Sequence, residues 1–347
     1  MIMDKFSSLV KSLTFLFGAV ITLIVVVFIG VFIYQDNPTL FIKNKVVEIL
    51  EVWAPRDIDL ALAEGFDNSE VEYGYQLVTA SPNTMGPGAE DPKLRYTGNN
   101  LACTNCHLEA GTKPGSASWV GIIERFPQFS NRSNKESTLE DRVNGCMERS
   151  MDGQKLPDDS REMKAILAYM NWLSNDVPQE RKDEFKGFAK IILPDVAVNL
   201  ETGAALYQVQ CASCHGDNGA GIKVAGSSNG YLYPPLWGED SYNEGAGMHR
   251  VITAASFIKG NMPFGEATLE NPKLTDEEAY HLAGYINSFE RPQKRNKEND
   301  FPDRKLKPVS TPYGPWADDF SALQHKYGPF KPIMDFYKEK YNLNKTQ

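Results

Sequence analysis

Two five-residue stretches carry the most specific chemistry in this chain of 347 residues. Cys103-Thr104-Asn105-Cys106-His107 and Cys211-Ala212-Ser213-Cys214-His215 both read Cys-x-x-Cys-His, and they lie 108 residues apart. In that pattern two thiols add to the vinyl groups of a haem and the adjacent imidazole binds its iron. One copy alone would also suit zinc or a redox pair. Two copies behind an export segment point to two covalently bound haem c groups. Cys103, Cys106, Cys211 and Cys214 are the attachment residues, and His107 and His215 are the proximal iron ligands.

Each iron then needs a sixth ligand or keeps an open position. In the second half, Met262 of Asn261-Met262-Pro263 follows His215 by 47 residues. A methionine in such a loop suits the distal position, and a thioether raises the potential. Met248 is the second choice, with His249 and Lys259 behind it. The first half has no Met-Pro pair. It has the fifth and last cysteine, Cys146, placed 39 residues after His107. Ser137-x-x-Glu140 and Gly153 predict a helix over 138–151. On that helix Arg142, Val143, Arg149 and Ser150 share the face of Cys146. Two neighbouring guanidiniums favour a thiolate, which makes Cys146 the candidate iron ligand of the first half. The competing reading is an inert buried cysteine, with Met147, Met151 and Met85 as other sulfur donors. Six basic and six acidic residues lie between Gly121 and Lys155, so charge alone does not mark an anion site there.

The elements that must position these residues repeat. A short helix precedes each motif, over 70–79 with Gly74-Tyr75 and over 200–210 with Gly203 and Tyr207. A capped helix closes each half, opened by Asp159-x-x-Glu162 and by Thr275-x-x-Glu278. Strand signal is slight. The expected fold is mainly α: two tandem class I cytochrome c domains, residues 50–178 and 195–292, joined by a connector over 176–198. A tail over 293–347 is first highly charged, then rich in Pro, Gly and aromatics. It should wrap the domains with Trp316, Phe320, Tyr327 and Phe330 as anchors and His325 in a structural role.

The balance of 36 Lys plus Arg against 45 Asp plus Glu gives a net charge of −9, which argues against nucleic-acid binding. Hydrophobic residues at 41 % allow a sizeable core. The mean hydropathy of −0.39 conceals one segment. Residues 12–35 hold no charge, and 13–34 are almost wholly apolar. As a helix this run spans about 33 Å, enough to cross a bilayer. Lys5 and Lys11 precede it and orient the N-terminus to the cytoplasm. A cleaved signal peptide is the alternative, but the run is long for one and no Ala-x-Ala-like site follows. Residues 1–36 are therefore expected to be a membrane anchor. The rest lies on the periplasmic side of a bacterial inner membrane.

The Cys146 block resembles the dihaem thiosulfate dehydrogenases, some of which also work as tetrathionate reductases. The similar stretches are 103–114, Arg125-Phe126-Pro127, Arg132, 138–153 and Leu156-Pro157. The second half adds 257–263, and the tail adds Pro312-Tyr313-Gly314-Pro315 with 324–330. The likeness runs from about Gly74 to Ile333. It implies that the first haem is the active site, with His107 and Cys146 as axial ligands. The implied reaction joins two thiosulfates to tetrathionate with release of two electrons, or runs in reverse. Arg132 and Ser150 match substrate-pocket positions; Arg142 and Arg149 are added from helix geometry, with pairing to Glu or haem propionates as their alternative role. Two departures stand out. Met147 replaces a common Phe, and Asn261 replaces a Lys that in some members exchanges with the distal Met.

Joining two dianions requires fixed cations. Cys146 is expected to leave the iron and carry a thiosulfonate adduct in turnover. Electrons would reach the second haem and then an external cytochrome or respiratory complex. A second class of function is a membrane-tethered dihaem electron-transfer cytochrome without sulfur chemistry. It suits the anchor and second domain but leaves the Cys146 block idle. A sulfur-transferring cytochrome and a dihaem peroxidase are further alternatives.

Overall fold

The computed structural model describes residues 2–36, 53–226 and 229–346. Met1 of the expected anchor, residues 50–52 and 227–228 of the expected domains, and Gln347 lie outside them. The longest helix is α1, Ile2–Asp36, whose described side chains are all exposed. Over its most apolar window the mean hydropathy is 3.1, and it is long and apolar enough to cross a membrane. Thr14 and Thr22 return their hydroxyls to the carbonyls of Val10 and Gly18, at 2.8 and 2.9 Å. No threonine donor is therefore left facing an apolar surround.

Residues Pro55–Gln347 form a compact unit by themselves. Its longer helices are α2 (Ser69–Thr79), α3 (Leu139–Met147), α4 (Arg161–Ser174), α5 (Leu200–Gln210), α6 (Val251–Asn261) and α7 (Asp276–Ile286). Two tail helices follow, α8 (Ala322–Tyr327) and α9 (Lys331–Tyr341). The strand content among the described residues is two antiparallel hairpins. The first pairs β1 (Gln128–Ser130) with β2 (Lys135–Ser137), the second β3 (Ile222–Lys223) with β4 (Tyr231–Tyr233).

The repeat read in the sequence is present as two crossings of helices. A Cβ on Gly74 of α2 would stand 2.0 Å from the Ala165 carbonyl oxygen of α4. A Cβ on Gly203 of α5 would stand 2.4 Å from the His281 carbonyl oxygen of α7. At both crossings only a missing side chain allows the backbones to touch. Tyrosines brace each one, Tyr75 against Tyr169 and Tyr207 against Tyr285, with ring centroids 5.7 and 5.5 Å apart. Two cores result. The first holds Leu77, Met85, Met163, Ile166, Tyr169 and Leu173, the second Tyr207, Ile252, Tyr280 and Leu282.

Three helix boundaries differ from expectation. Thr138, not Ser137, caps α3: its Oγ1 accepts the Asp141 amide, and Asp141 reaches back to the Thr138 amide, both at 3.3 Å. Ser137 ends β2, where pairing with Gln128 keeps its backbone extended. At its other end α3 stops at Met147 rather than residue 151. The Cys146 carbonyl accepts both Arg149 N at 3.1 Å and Met151 N at 3.0 Å, which turns the chain out of the helical ladder. In α4 the cap is Ser160, whose Oγ accepts the Met163 amide at 3.2 Å. Glu162, expected in a capping box with Asp159, instead accepts the Tyr73 hydroxyl at 3.0 Å.

The tail is anchored in the second core. Phe330, Ile333 and Tyr337 are buried there, and Phe320 packs against it. Trp316 stacks on His325 at 4.3 Å. His325 is hydrogen-bonded through both nitrogens, to Val309 O at 2.7 Å and Asp318 Oδ1 at 2.9 Å, in a buried structural setting.

Candidate functional site

The first Cys-x-x-Cys-His motif and α3 converge on a cavity of about 330 Å³. Cys103, Cys106, His107, Arg142, Cys146 and Ser150 all line it. His107 Nδ1 is held by Ala117 O at 2.9 Å, and its ring packs on Trp119 at 4.8 Å. This orients the imidazole and leaves Nε2 for a metal. His107 and Cys146 line the same cavity, and the imidazole works to lower the Cys146 thiol.

Arg142 sits one turn before Cys146 on α3 and donates from Nη1 to Sγ at 3.0 Å. Burial pushes the Cys146 thiol up. Arg142 and His107 outweigh that and bring it down to about 6. The attachment thiols go the other way. Burial pushes Cys103 up to about 11 and Cys106 up to about 12. One cavity thus holds both kinds of cysteine, and what separates them is the guanidinium and the imidazole that act on Cys146.

Arg149 and Ser150 lie beyond the end of α3, in the turn. Ser150 lines the cavity, with its carbonyl held by Asn99 Nδ2 at 2.9 Å. Arg149 does not reach Cys146. It forks onto Asp300, with Nη2 to Oδ1 at 2.5 Å and Nε to Oδ2 at 3.4 Å. Arg132 pairs with the same carboxylate through Oδ2. Met147 and Met151, the other sulfur donors, also line the cavity, while Met85 is fully buried in the first core.

Four residues of this region gave no functional signal in the sequence. Asp300 is one acid in the charged run of the tail. Tyr313 donates to Asp300 Oδ2 at 3.1 Å. Arg250 precedes α6, and the fields of Arg132 and Arg142 act on it. Tyr242 lines the cavity together with Met248, although both lie within 195–292. Asn243 and Asn99 bind the two halves together. Asn243 Nδ2 reaches Glu148 O at 2.9 Å and Asp152 Oδ1 at 2.7 Å, and Asn99 Nδ2 reaches Ser241 O at 3.1 Å.

The second motif begins where α5 ends. His215 is buried, and its Nδ1 is held by Pro234 O at 2.7 Å. Burial lowers its pKa, which favours the neutral imidazole that ligates metals. Cys211 and Met262 both pack against the second core. Met262 caps α6, and Asn261 before it donates from Nδ2 to Gly115 O at 2.8 Å and Phe257 O at 3.0 Å. Of the alternatives to Met262, Lys259 is committed to a side-chain partner, while His249 and Met248 stay open. Lys259 is ion-paired with Asp276. His249 Nδ1 is held by Glu244 O at 2.9 Å, and burial pushes its pKa down to about 3. Met248 faces the first cavity.

Both motifs fit a covalently attached haem. Each offers two thiols and an imidazole whose Nδ1 is tied to a backbone carbonyl. The first adds a low-pKa thiol opposite the imidazole within a mainly apolar wall.

Residues 94–179 match the family model described as SoxA/TsdA, cytochrome c domain. Residues 198–286 match cytochrome C oxidase, cbb3-type, subunit III. The chain therefore carries two cytochrome c domains, which bind haem c. It is 42 % identical over 198 residues to the thiosulfate dehydrogenase of Stutzerimonas stutzeri (strain A1501), across 57 % of this chain and 62 % of that protein. With the thiosulfate dehydrogenase of Allochromatium vinosum it shares 42 % over 201 residues, across 57 % of this chain and 72 % of the relative. A solved thiosulfate dehydrogenase (TsdBA) from Marichromatium purpuratum, in its "as isolated" form, superposes with a TM-score of 0.59 at 31 % identity. That match covers 70 % of this chain and 50 % of the other. The chain thus spans under two thirds of the Stutzerimonas protein and half of the Marichromatium one.

Proposed function

The chain belongs to the thiosulfate dehydrogenase family, and on that premise we propose that it joins two thiosulfate ions into tetrathionate, and runs the reverse reaction as well. The observation that carries this reading is the Arg142–Cys146 contact of 3.0 Å in a cavity shared with His107. A purely electron-carrying cytochrome has no use for a cysteine whose thiol is brought down to about 6.

His107 and Cys146 would hold the iron of a first haem, and His215 and Met262 that of a second. Both groups are covalently bound through Cys103, Cys106, Cys211 and Cys214. When bound, each haem supplies a one-electron acceptor, so the pair matches the two electrons that the coupling releases and hands them to an external cytochrome or respiratory complex.

The chain's own residues do the sulfur chemistry. Arg142 keeps Cys146 a thiolate. Its sulfur bonds to the sulfane sulfur of one thiosulfate with loss of two electrons, giving a thiosulfonate on Cys146. The sulfane sulfur of a second thiosulfate attacks the first. The bond to Cys146 breaks, tetrathionate leaves and the thiolate returns. A low thiol pKa makes Cys146 a good leaving group. Ser150 and Arg142 line the cavity where the dianions meet, and the Arg142 charge offsets their repulsion; Arg132 and Arg149 stand beside it, paired with Asp300. Helix α1 would anchor these domains on the periplasmic side of the inner membrane, with Lys5 and Lys11 facing the cytoplasm.

Thiosulfate-dependent reduction of the purified dihaem protein, with Cys146→Ala beside it, tests the proposal. Turnover by the unaltered protein and its loss in the variant are expected. No turnover with thiosulfate or tetrathionate overturns the activity. The electron-carrier alternative, which the cbb3-type likeness of residues 198–286 favours, would then stand.

A further inference from the structure

The cluster beside Cys146 has an uneven division of charge. Four arginines meet there, and two of them share one carboxylate. Asp300 takes Arg149 in a fork at 2.5 and 3.4 Å and pairs with Arg132 through Oδ2. The Tyr313 hydroxyl donates to Oδ2 at 3.1 Å, so the carboxylate is fully engaged. Burial works to raise the Asp300 carboxyl, but Arg132 and Arg149 outweigh it and hold it below its usual value. Arg142 and Arg250 have no carboxylate partner among the described residues. Arg142 donates to Cys146, and Arg250 makes one long bond, from Nε to Gly247 O at 3.4 Å. Burial, with the fields of Arg132 and Arg142, pushes Arg250 down to about 9.

Asp300 arrives from outside the two haem domains, on the tail. The chain there is built to deliver it. Phe301 N donates to Arg132 O at 2.8 Å, and the Arg132 guanidinium lies over the Phe301 ring at 4.8 Å. Phe301 itself holds a left-handed φ of 62°, which a bulky side chain adopts only when its surroundings enforce it. Two residues of the tail thus grip Arg132 from both ends.

We propose that Asp300 is the positioning residue of the anion site: it occupies Arg132 and Arg149 and leaves Arg142 and Arg250 uncompensated, so a dianion settles on the Cys146 side of the cluster. This deepens the thiosulfate reading and rests on it. Without the carboxylate, Arg132 and Arg149 become free cations and offer the dianion a second resting place away from the thiolate. Binding there is tighter and unproductive.

Asp300→Asn removes the charge and keeps the shape. In the haem-loaded protein, KM and kcat for thiosulfate should fall together by about tenfold, leaving kcat/KM nearly unchanged. Asp300→Glu should restore both. The dissociation constant of sulfate, a dianion that cannot be oxidised at the site, read by calorimetry on the oxidised protein, should fall by the same factor. An unchanged affinity, or a lower kcat with an unchanged or higher KM, overturns the proposal. Should Asp300→Asn not fold, Asp300→Ser, which also removes the charge, should shift kcat and KM in the same direction; no shift overturns the proposal. Turnover by the unaltered protein tests the thiosulfate reading, whereas the affinity ratio tests Asp300 even if no turnover occurs.

Discussion

Arg142 donates to the sulfur of Cys146 at 3.0 Å across a single turn of helix. The two are four residues apart, so the contact is local, and α3 alone is enough to set it. Together with His107 it outweighs the burial that would otherwise keep the thiol protonated.

That relationship sets a pH limit. With the thiol brought down to about 6, the reactive thiolate is present above that pH and is lost as pH falls through it. In Arg142→Leu burial prevails, and the acid limb of kcat/KM should move up by at least about one pH unit. A pH–rate profile that does not move would remove Arg142 from this role.

The proposed ligation of a second haem by His215 and Met262 is open to test. On that reading Met262→Ala should lower the potential of that haem through loss of a thioether, while thiosulfate affinity stays as it was. Lys259→Ala should leave the potential alone, because Lys259 is already paired with Asp276. A redox titration in which Lys259→Ala shifts the potential and Met262→Ala does not would reverse the assignment.

The helix crossings predict steric sensitivity. Gly74→Ala sets a methyl 2.0 Å from the Ala165 carbonyl oxygen, and the backbones must part. Overpacking of this kind costs about 1–3 kcal/mol. Gly187→Ala is not a fair control, since Gly187 holds a φ of +68°; Gly145, whose nearest neighbour is the tip of Arg149 at 3.8 Å, is. Thermal unfolding should separate the two variants, with Gly74→Ala the lower.

Helix α1 predicts a partition. A chain lacking residues 2–36 should leave the membrane fraction and keep its haem spectrum, because Pro55–Gln347 forms a compact unit of its own. Spectral loss on removal of α1 would mean that the helix supports the haem domains.

Legibility in the sequence followed distance along the chain. The helices around each motif were readable because caps and apolar spacing are local. Thr275 caps α7 through Glu278, three positions on, as that spacing implied; the caps of α3 and α4 fell one residue beyond the ones expected. The Arg142–Cys146 pair was readable for the same reason. Arg149 was placed beside Cys146 by assuming that α3 ran on to residue 151. The chain turns out of the helix at Met147 instead, and Arg149 finds its partner 151 residues away. Nothing in the run of charges from Lys294 to Lys307 distinguishes Asp300 from Glu298 or Asp303. Only the folding of the tail over the first half brings that one acid to two arginines.

The segment around Tyr242 and Met248 has a last consequence. Tyr242 and Ala246 are buried in the first core, though they lie within the stretch that matches the second domain. Met248 packs against both cores, and its carbonyl accepts Asn287 Nδ2 at 2.9 Å. The second cytochrome unit is therefore not an interchangeable cassette. Grafting a foreign cytochrome c domain after residue 194 would remove one wall of the cavity around Cys146 along with the native second domain. Any chimera of this protein must carry residues 240–250 with its first half.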